Sequence, residues 1–391
     1  MPIVNRIAEF AEDMTAWRRD IHRHPEIAFE EHRTAEVVAE KLAEWGIEVH
    51  RGLAGTGVVG LLEGRKAGAR MIGLRADMDA LPLQELNGFD HRSVHDGKMH
   101  ACGHDGHTAM LLGAARYLAE TRNFAGRIAF IFQPAEEGEG GARVMIEEGL
   151  FERFPVESVY GLHNMPGLDR GQVALRAGPL LAAADTVTIE ITGKGGHAAI
   201  PHMAIDPVVI GAEIVTALQT IASRRIDPLD SLVISVTRFD AGTADNIIPE
   251  TARLTGSVRT LKTETRDQIE AEIRRIADGI AAAHGGTAEV TFSHGYPATV
   301  NWPEETARCA AVAGEIVGPE NVHGEVAPVM GSEDFAFMLE KKPGCYILLG
   351  NGLEGGPGGC SVHNPNYDFN DEVAVIGASY WARLAETLLA D

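Results

Sequence analysis

Cysteine is scarce in this chain: four residues in 391, at Cys102, Cys309, Cys345 and Cys360. That is too few for a disulfide framework and fits a reducing cytoplasm, which is the expected location. No apolar run is long enough to cross a bilayer, so neither a transmembrane helix nor a membrane partner is expected. The opening residues, MPIVNRIAEFAEDM, lack a basic start and an apolar core, and no secretory leader is expected. Basic residues are outnumbered, 34 Lys and Arg against 56 Asp and Glu, for a net charge of −22. Such a chain repels phosphate backbones, so nucleic acid is not an expected partner. A small-molecule substrate is left open, because a local positive site can sit inside an acidic shell. G-x-S-x-G and H-E-x-x-H are both absent, which removes the signatures of the serine-hydrolase elbow and of the gluzincin helix.

What is present reads as a folded enzyme-sized chain. Apolar residues make up 45% and charged residues 23%, ordinary for a globular protein and outside the disordered range. The length suits two domains or three. The 16 histidines, several beside Asp, Gly and Glu, are a first hint of a metal.

Periodicity supplies the elements. Ile7, Phe10, Met14, Trp17 and Ile21 make one apolar stripe, predicting a single N-terminal helix that ends at His24-Pro25. A second helix is predicted over about 33–45. The runs 57–64, 71–77, 127–133 and 158–164 are strand-like, with a helix beginning after Gly103 and another after the loop that follows 133. This alternation implies a largely parallel sheet with covering helices. From Asp185 the pattern changes to strands that alternate apolar and polar residues. A strand at 185–193, a helix at 206–225, strands at 231–240 and 250–261, a helix at 263–285 and a strand at 287–296 give the order β-α-β-β-α-β of a ferredoxin-like domain. Helix and strand alternation resumes afterwards, with a strand at 345–352, a glycine-rich loop read as mobile at 350–359, and a closing helix at 371–389. The expected division is therefore an α/β domain in two parts, 1–184 and 297–391, interrupted by a ferredoxin-like insert at 185–296.

Polar residues gather at the ends of the predicted strands, where ligands collect in open α/β sheets. Asp77 and Asp79 follow one strand, Glu136 and Glu137 another, and His163 a third. Cys102 and His104 open a helix, and His363 follows the strand near the C-terminus. Thiolate, imidazole and carboxylate together are metal ligands of borderline softness. Five exceed the needs of one tetrahedral ion, so two ions are expected. Of the adjacent Glu136 and Glu137, one can bind metal while the other takes a proton from water and returns it to a leaving amine. Each piece has an ordinary reading too: a solvated Glu pair, a small buried Cys, a satisfied core His163. His104 and His107 share a helix face, and His100 and His107 are left out of the site. Co-location at one sheet edge is what selects the chemical reading. Gly55, Gly57 and Gly60 match G-x-G-x-x-G, but a strand-like run follows instead of a helix, so nucleotide binding is not expected.

RADMDALP (75–82), MHACGHDGHTA (99–109), QPAEEGEGGA (133–142), GLHNMPG (161–167), GKGGHAAIPH (193–202), GSEDF (331–335) and HNPNYDFND (363–371) resemble peptidase family M20, in its amidohydrolase branch. That branch includes hippurate hydrolases, N-acyl-L-amino-acid amidohydrolases and plant auxin-conjugate hydrolases. The resemblance runs from about residue 10 to the end. It implies a dinuclear-metal α/β catalytic domain with a ferredoxin-like lid, and a homodimer formed through that lid. It implies Cys102, His104, Glu137, His163 and His363 as ligands of two divalent ions, with Cys102 bridging, and zinc, manganese, cobalt or nickel as the metal. Glu136 matches the general base and Asp79 the aspartate that orients a ligand. Asp77 stands where the wider family has a ligand histidine. His197 matches a lid histidine that, in related dimers, reaches the partner's oxyanion. Asn246 and Arg259 match positions associated with the substrate carboxylate. The roles of Ser332, Glu333 and Asp334 are not explained. The implied reaction is hydrolysis of the amide of an N-acyl amino acid, with a dipeptidase or carboxypeptidase as the alternative, and a non-catalytic metal-binding protein as a more remote one.

Overall fold

The computed structural model describes the backbone of residues 2–390 and the side chains of residues 5–390. Two compact units are present: Met1–Gly178 with Val300–Ala327 and Asp334–Asp391, and Pro179–Thr299 with Pro328–Glu333.

The first unit is built on an eight-stranded sheet. Its order is Glu48–Leu53, Gly57–Glu63, Ala125–Gln133, Lys66–Asp77, Ser158–Pro166, Gly344–Gly352, Val173–Ala174 and Val322–His323. The four strands from Ala125–Gln133 to Gly344–Gly352 run parallel, so their carboxyl ends share one edge. A parallel strand covered on both faces needs a continuous apolar run rather than an alternating one. Gly344–Gly352 is buried at every position, and Lys66–Asp77 is buried from Met71 onward. The helices His32–Glu44, His104–Thr121, Pro303–Val317 and Ala374–Leu388 put their apolar residues into the same core. Gly57–Glu63 is a strand, as the failed nucleotide motif required.

The N-terminus differs from expectation. It forms two helices, Pro2–Ala8 and Ala11–Arg23, instead of one. Phe10 leaves helical geometry at φ −95° and ψ 2°, yet Ile7, Phe10, Met14 and Ile21 are all buried. The apolar stripe continues across the break, so periodicity does not reveal it.

The second unit is an antiparallel sheet in the order Leu232–Ala241, Thr251–Thr260, Ala183–Thr192, Thr287–Tyr296. Ala183–Thr192 alternates buried and outward residues along its length. Its inward Val187, Ile189 and Ile191 meet Ile210, Ile214, Ile269 and Ile273 from the helices Pro207–Arg224 and Thr263–Ala283. Asp206 starts the first of these helices by accepting the N–H of Val208 at 2.9 Å, with Pro207 at the next position. The β-α-β-β-α-β order and this strand arrangement are ferredoxin-like, as expected. Among the described residues no helix is long and apolar enough to cross a membrane.

Candidate metal centre

The carboxyl edge of the parallel strands carries the polar groups. Lys66–Asp77 ends at Asp77 and places Asp79 just beyond. Ala125–Gln133 ends at Gln133 and leads into the turn that holds Glu136 and Glu137. His163 lies within Ser158–Pro166. Cys102 precedes the helix His104–Thr121, whose entry depends on Gly103 at φ 96°; a side chain there would collide with Asn164 and Tyr367. His363, in the loop after Gly344–Gly352, is tied back by its N–H to Ala101 O at 2.7 Å. Two backbones here are left-handed without being glycine, Ala135 at φ 54° and His363 at φ 62°. Such conformations cost energy and persist where surrounding contacts enforce them.

Among the described residues five groups of donor atoms form, each with its members within 4.8 Å of one another: Cys102, His104 and His163; Cys102, Glu137 and His363; His104, Glu136 and Glu137; Asp77, His104 and His107; and Glu136, Glu333 and Asp334. All five residues expected as ligands are therefore brought together, with Glu136 beside them and Cys102 shared by the first two groups. Hydrogen bonds aim the imidazoles. His104 Nδ1 lies 3.2 Å from Asp79, and its Nε2 is buried with no hydrogen-bond partner. His163 Nδ1 is 2.6 Å from the carbonyl of Asn164, leaving Nε2 3.3 Å from Cys102 Sγ. Asp79 also accepts the N–H of Glu137 at 2.9 Å, so it holds one expected ligand by its side chain and another by its backbone. Glu137 Oε1 is buried without a hydrogen-bond partner, 3.2 Å from His363 Nε2 and 4.0 Å from His104 Nε2.

Unpartnered buried nitrogens and oxygens are costly. A cation that accepts their lone pairs removes that cost, and the sulfur, nitrogen and oxygen set suits a divalent ion of zinc-like softness. The electrostatics agree. Burial, and next His107, push the His163 pKa down to about 3, so its ring is neutral and free to coordinate. Burial, and next Glu137, push the Cys102 thiol well up, so thiolate forms here only when a cation is bound. Burial opposes charge on His104, but Asp77, Cys102 and Asp79 outweigh it and hold its pKa well above the usual value. Site loading therefore releases protons.

The histidines left out of the site are placed differently. His107 spends Nδ1 on Asp77 at 2.6 Å and Nε2 on Asn164 at 2.7 Å. His100 is buried and belongs to none of the donor groups. In the second unit, His197 is exposed on the short strand Gly196–His197, and its Nδ1 accepts the N–H of Ala199 at 3.1 Å. Asn246 is its neighbour, with its carbonyl accepting the N–H of Ala198 at 3.1 Å. Arg259 lies on a different strand and donates to Ser257 and Ser332, each at 3.1 Å.

Sequence reading missed two supports in the first unit. Arg75 is buried and bonds Gln133, Asp77 and Asp334. A charged residue inside the apolar run MIGLRAD was a readable signal for a buried partner. Glu31 is buried and accepts the N–H of Ala135 at 2.9 Å and the hydroxyl of Thr56 at 2.6 Å. Desolvation raises its pKa to about 7. Nothing local in the sequence marks it.

A carboxylate–imidazole–thiolate set at the carboxyl edge of a parallel sheet, with a spare glutamate beside it, defines a metal-dependent hydrolase. Comparison with known proteins agrees. Residues 73–387 match the family described as peptidase family M20/M25/M40. A hippurate hydrolase from Campylobacter jejuni is 43% identical over 98% of this chain and 99% of its own length. A thermostable carboxypeptidase from Saccharolobus solfataricus is 40% identical over 100% of this chain and 98% of its own. A solved dinuclear metal-binding M20 peptidase from Bacillus subtilis superimposes with a TM-score of 0.85 at 35% identity, over 98% of this chain and 99% of that one. This chain belongs to peptidase family M20/M25/M40 and is a divalent-metal-dependent hydrolase of amide bonds.

Proposed function

We propose that this protein hydrolyses the amide of N-acyl amino acids, releasing a carboxylic acid and a free amino acid. The observation that carries the reading is the convergence of His104 Nε2 and Glu137 Oε1, both buried without a hydrogen-bond partner, on Cys102, His163 and His363, with Glu136 alongside. The relatives named for hippurate and for carboxypeptidase action support the substrate class. Both names describe cleavage of an amide whose nitrogen belongs to an amino acid with a free carboxylate.

Cys102, His104, Glu137, His163 and His363 would hold two divalent ions. When bound, such ions polarise the acyl carbonyl and make a water molecule acidic. Glu136 takes the proton from that water and delivers it to the leaving nitrogen. Its buried setting favours this work, since it is only 6% exposed. Asp79 orients His104 and the Glu137 backbone. In a homodimer formed through the lid unit, His197 supplies a hydrogen bond to the partner's oxyanion; its exposed ring with Nδ1 already engaged supports that role. Arg259 and Asn246 recognise the substrate carboxylate, for which a guanidinium fork is well suited. Four unpaired cysteines support a cytoplasmic location.

A second reading, carboxypeptidase action on a peptide, is favoured by the carboxypeptidase relative. Assaying hippurate and a panel of dipeptides, before and after chelation and after restoring single divalent ions, separates the two. Hippurate release that vanishes on chelation and returns with one metal supports the main reading and names the ion. Release from dipeptides alone supports the second.

A further inference from the structure

We propose that Asp334, clamped by Arg75, is the positioning residue that fixes the turn carrying Glu136. The proposal rests on the reading of Glu136 as general base. It gives a physical role to the aspartate of GSEDF.

Asp334 is fully buried. Its carboxylate accepts Gln133 Nε2 on both oxygens at 2.8 Å, Arg75 Nη2 at 2.9 Å and the backbone N–H of Ala142 at 2.9 Å. Gln133 is the last residue of its strand, and Ala142 lies in the first turn of the helix Gly141–Glu147. The residues between them form the turn that carries Glu136 and Glu137. One carboxylate therefore grips both ends of that turn. Its own backbone N–H donates to Glu136 Oε1 at 3.3 Å.

Arg75 completes the clamp. Its Nε donates to Gln133 Oε1 at 2.8 Å and its Nη1 to Asp77 at 2.7 Å. The guanidinium thus ties two adjacent strand ends to Asp334. The turn needs such restraint, because Ala135 is left-handed at φ 54° and Gly141 sits so tightly against Pro134 that a side chain there would collide with its carbonyl. A fully buried ion pair is a poor source of net stability, since desolvation offsets most of the attraction. The geometry it imposes on Glu136 explains its presence better.

The test is a double-mutant cycle on hippurate turnover with Asp334→Asn, Arg75→Lys and Glu136→Gln, with metal content and Tm measured on every variant. Asp334→Asn keeps the shape but turns a donor toward Arg75. Arg75→Lys keeps the charge but loses the fork, and it carries the test if Asp334→Asn does not fold. Misplacing a catalytic group by about 1 Å costs on the order of 100-fold. We expect a loss of that order in kcat, with KM little changed and metal retained. In the Glu136→Gln background the same substitutions should cost little more, because residues acting through one group are not additive. Unchanged kcat in both single variants, or equal losses in both backgrounds, overturns the positioning role. Wild-type turnover in Glu136→Gln alone overturns the base reading, and this proposal with it.

Discussion

Two buried charge clusters meet at the adjacent residues His104 and Asp105, and they use the same residue types to opposite ends. Around His22, the charges answer one another. His22 spends one nitrogen on Asp105 at 2.8 Å and the other on Glu85 at 3.2 Å, while Arg18 bonds Asp371 at 2.7 Å and Asp368 at 2.8 Å. Around His104, the residue before Asp105, one nitrogen is anchored on Asp79 and the other has no hydrogen-bond partner. Residue type does not separate them. What separates them is the histidine: both ring nitrogens of His22 are engaged, while His104 Nε2 is not.

That difference can be broken from either side. The largest effect is expected from His104→Ala. It removes one donor from three of the five groups, so metal content should fall sharply and hippurate turnover with it, as read by metal analysis and steady-state kinetics on one sample. His22→Ala should do the reverse. It leaves Glu85 buried without its cation and Asp105 with only Arg18, 3.6 Å away; breaking a buried pair typically costs about 3–5 kcal/mol. Denaturant unfolding should record that loss, while the folded fraction keeps its metal. Retained metal in His104→Ala, or lost metal in folded His22→Ala, would erase the distinction.

A smaller effect should appear with pH. Burial opposes charge on His22, but Asp105 and Glu85 outweigh it and raise its pKa to about 9. A raised histidine pKa favours the folded state fully below the unfolded value of about 6.5, and the benefit is lost as pH rises through about 9. The shift corresponds to about 3 kcal/mol. Wild-type stability should therefore fall between about pH 7 and pH 10 by more than that of His22→Ala. Parallel pH curves for the two proteins would contradict the assignment.

Much of this was legible in the sequence. The strand ends at Asp77 and Gln133 and the strand that carries His163 were readable from short apolar runs, and the ferredoxin-like insert from alternation and helix periodicity. The five candidate ligand residues stood out because their types are unusual at strand ends and because their motifs resemble a family. The supports were harder to see. Asp334 meets Arg75 and Gln133 across 259 and 201 residues of chain, and Glu31 meets Ala135 across 104. No local period encodes such pairings. The break at Phe10 was hidden for a different reason: both sides of it bury the same stripe.

The central claim is that Glu136 moves the proton at a site that the five neighbouring residues load with metal. The most direct measurement is hippurate turnover by Glu136→Gln, with metal content determined on the same preparation. General acid–base catalysis contributes on the order of 10²–10⁴-fold. The account predicts a loss in that range with metal content equal to wild type. Fully metallated protein that still turns over at close to the wild-type rate would contradict it.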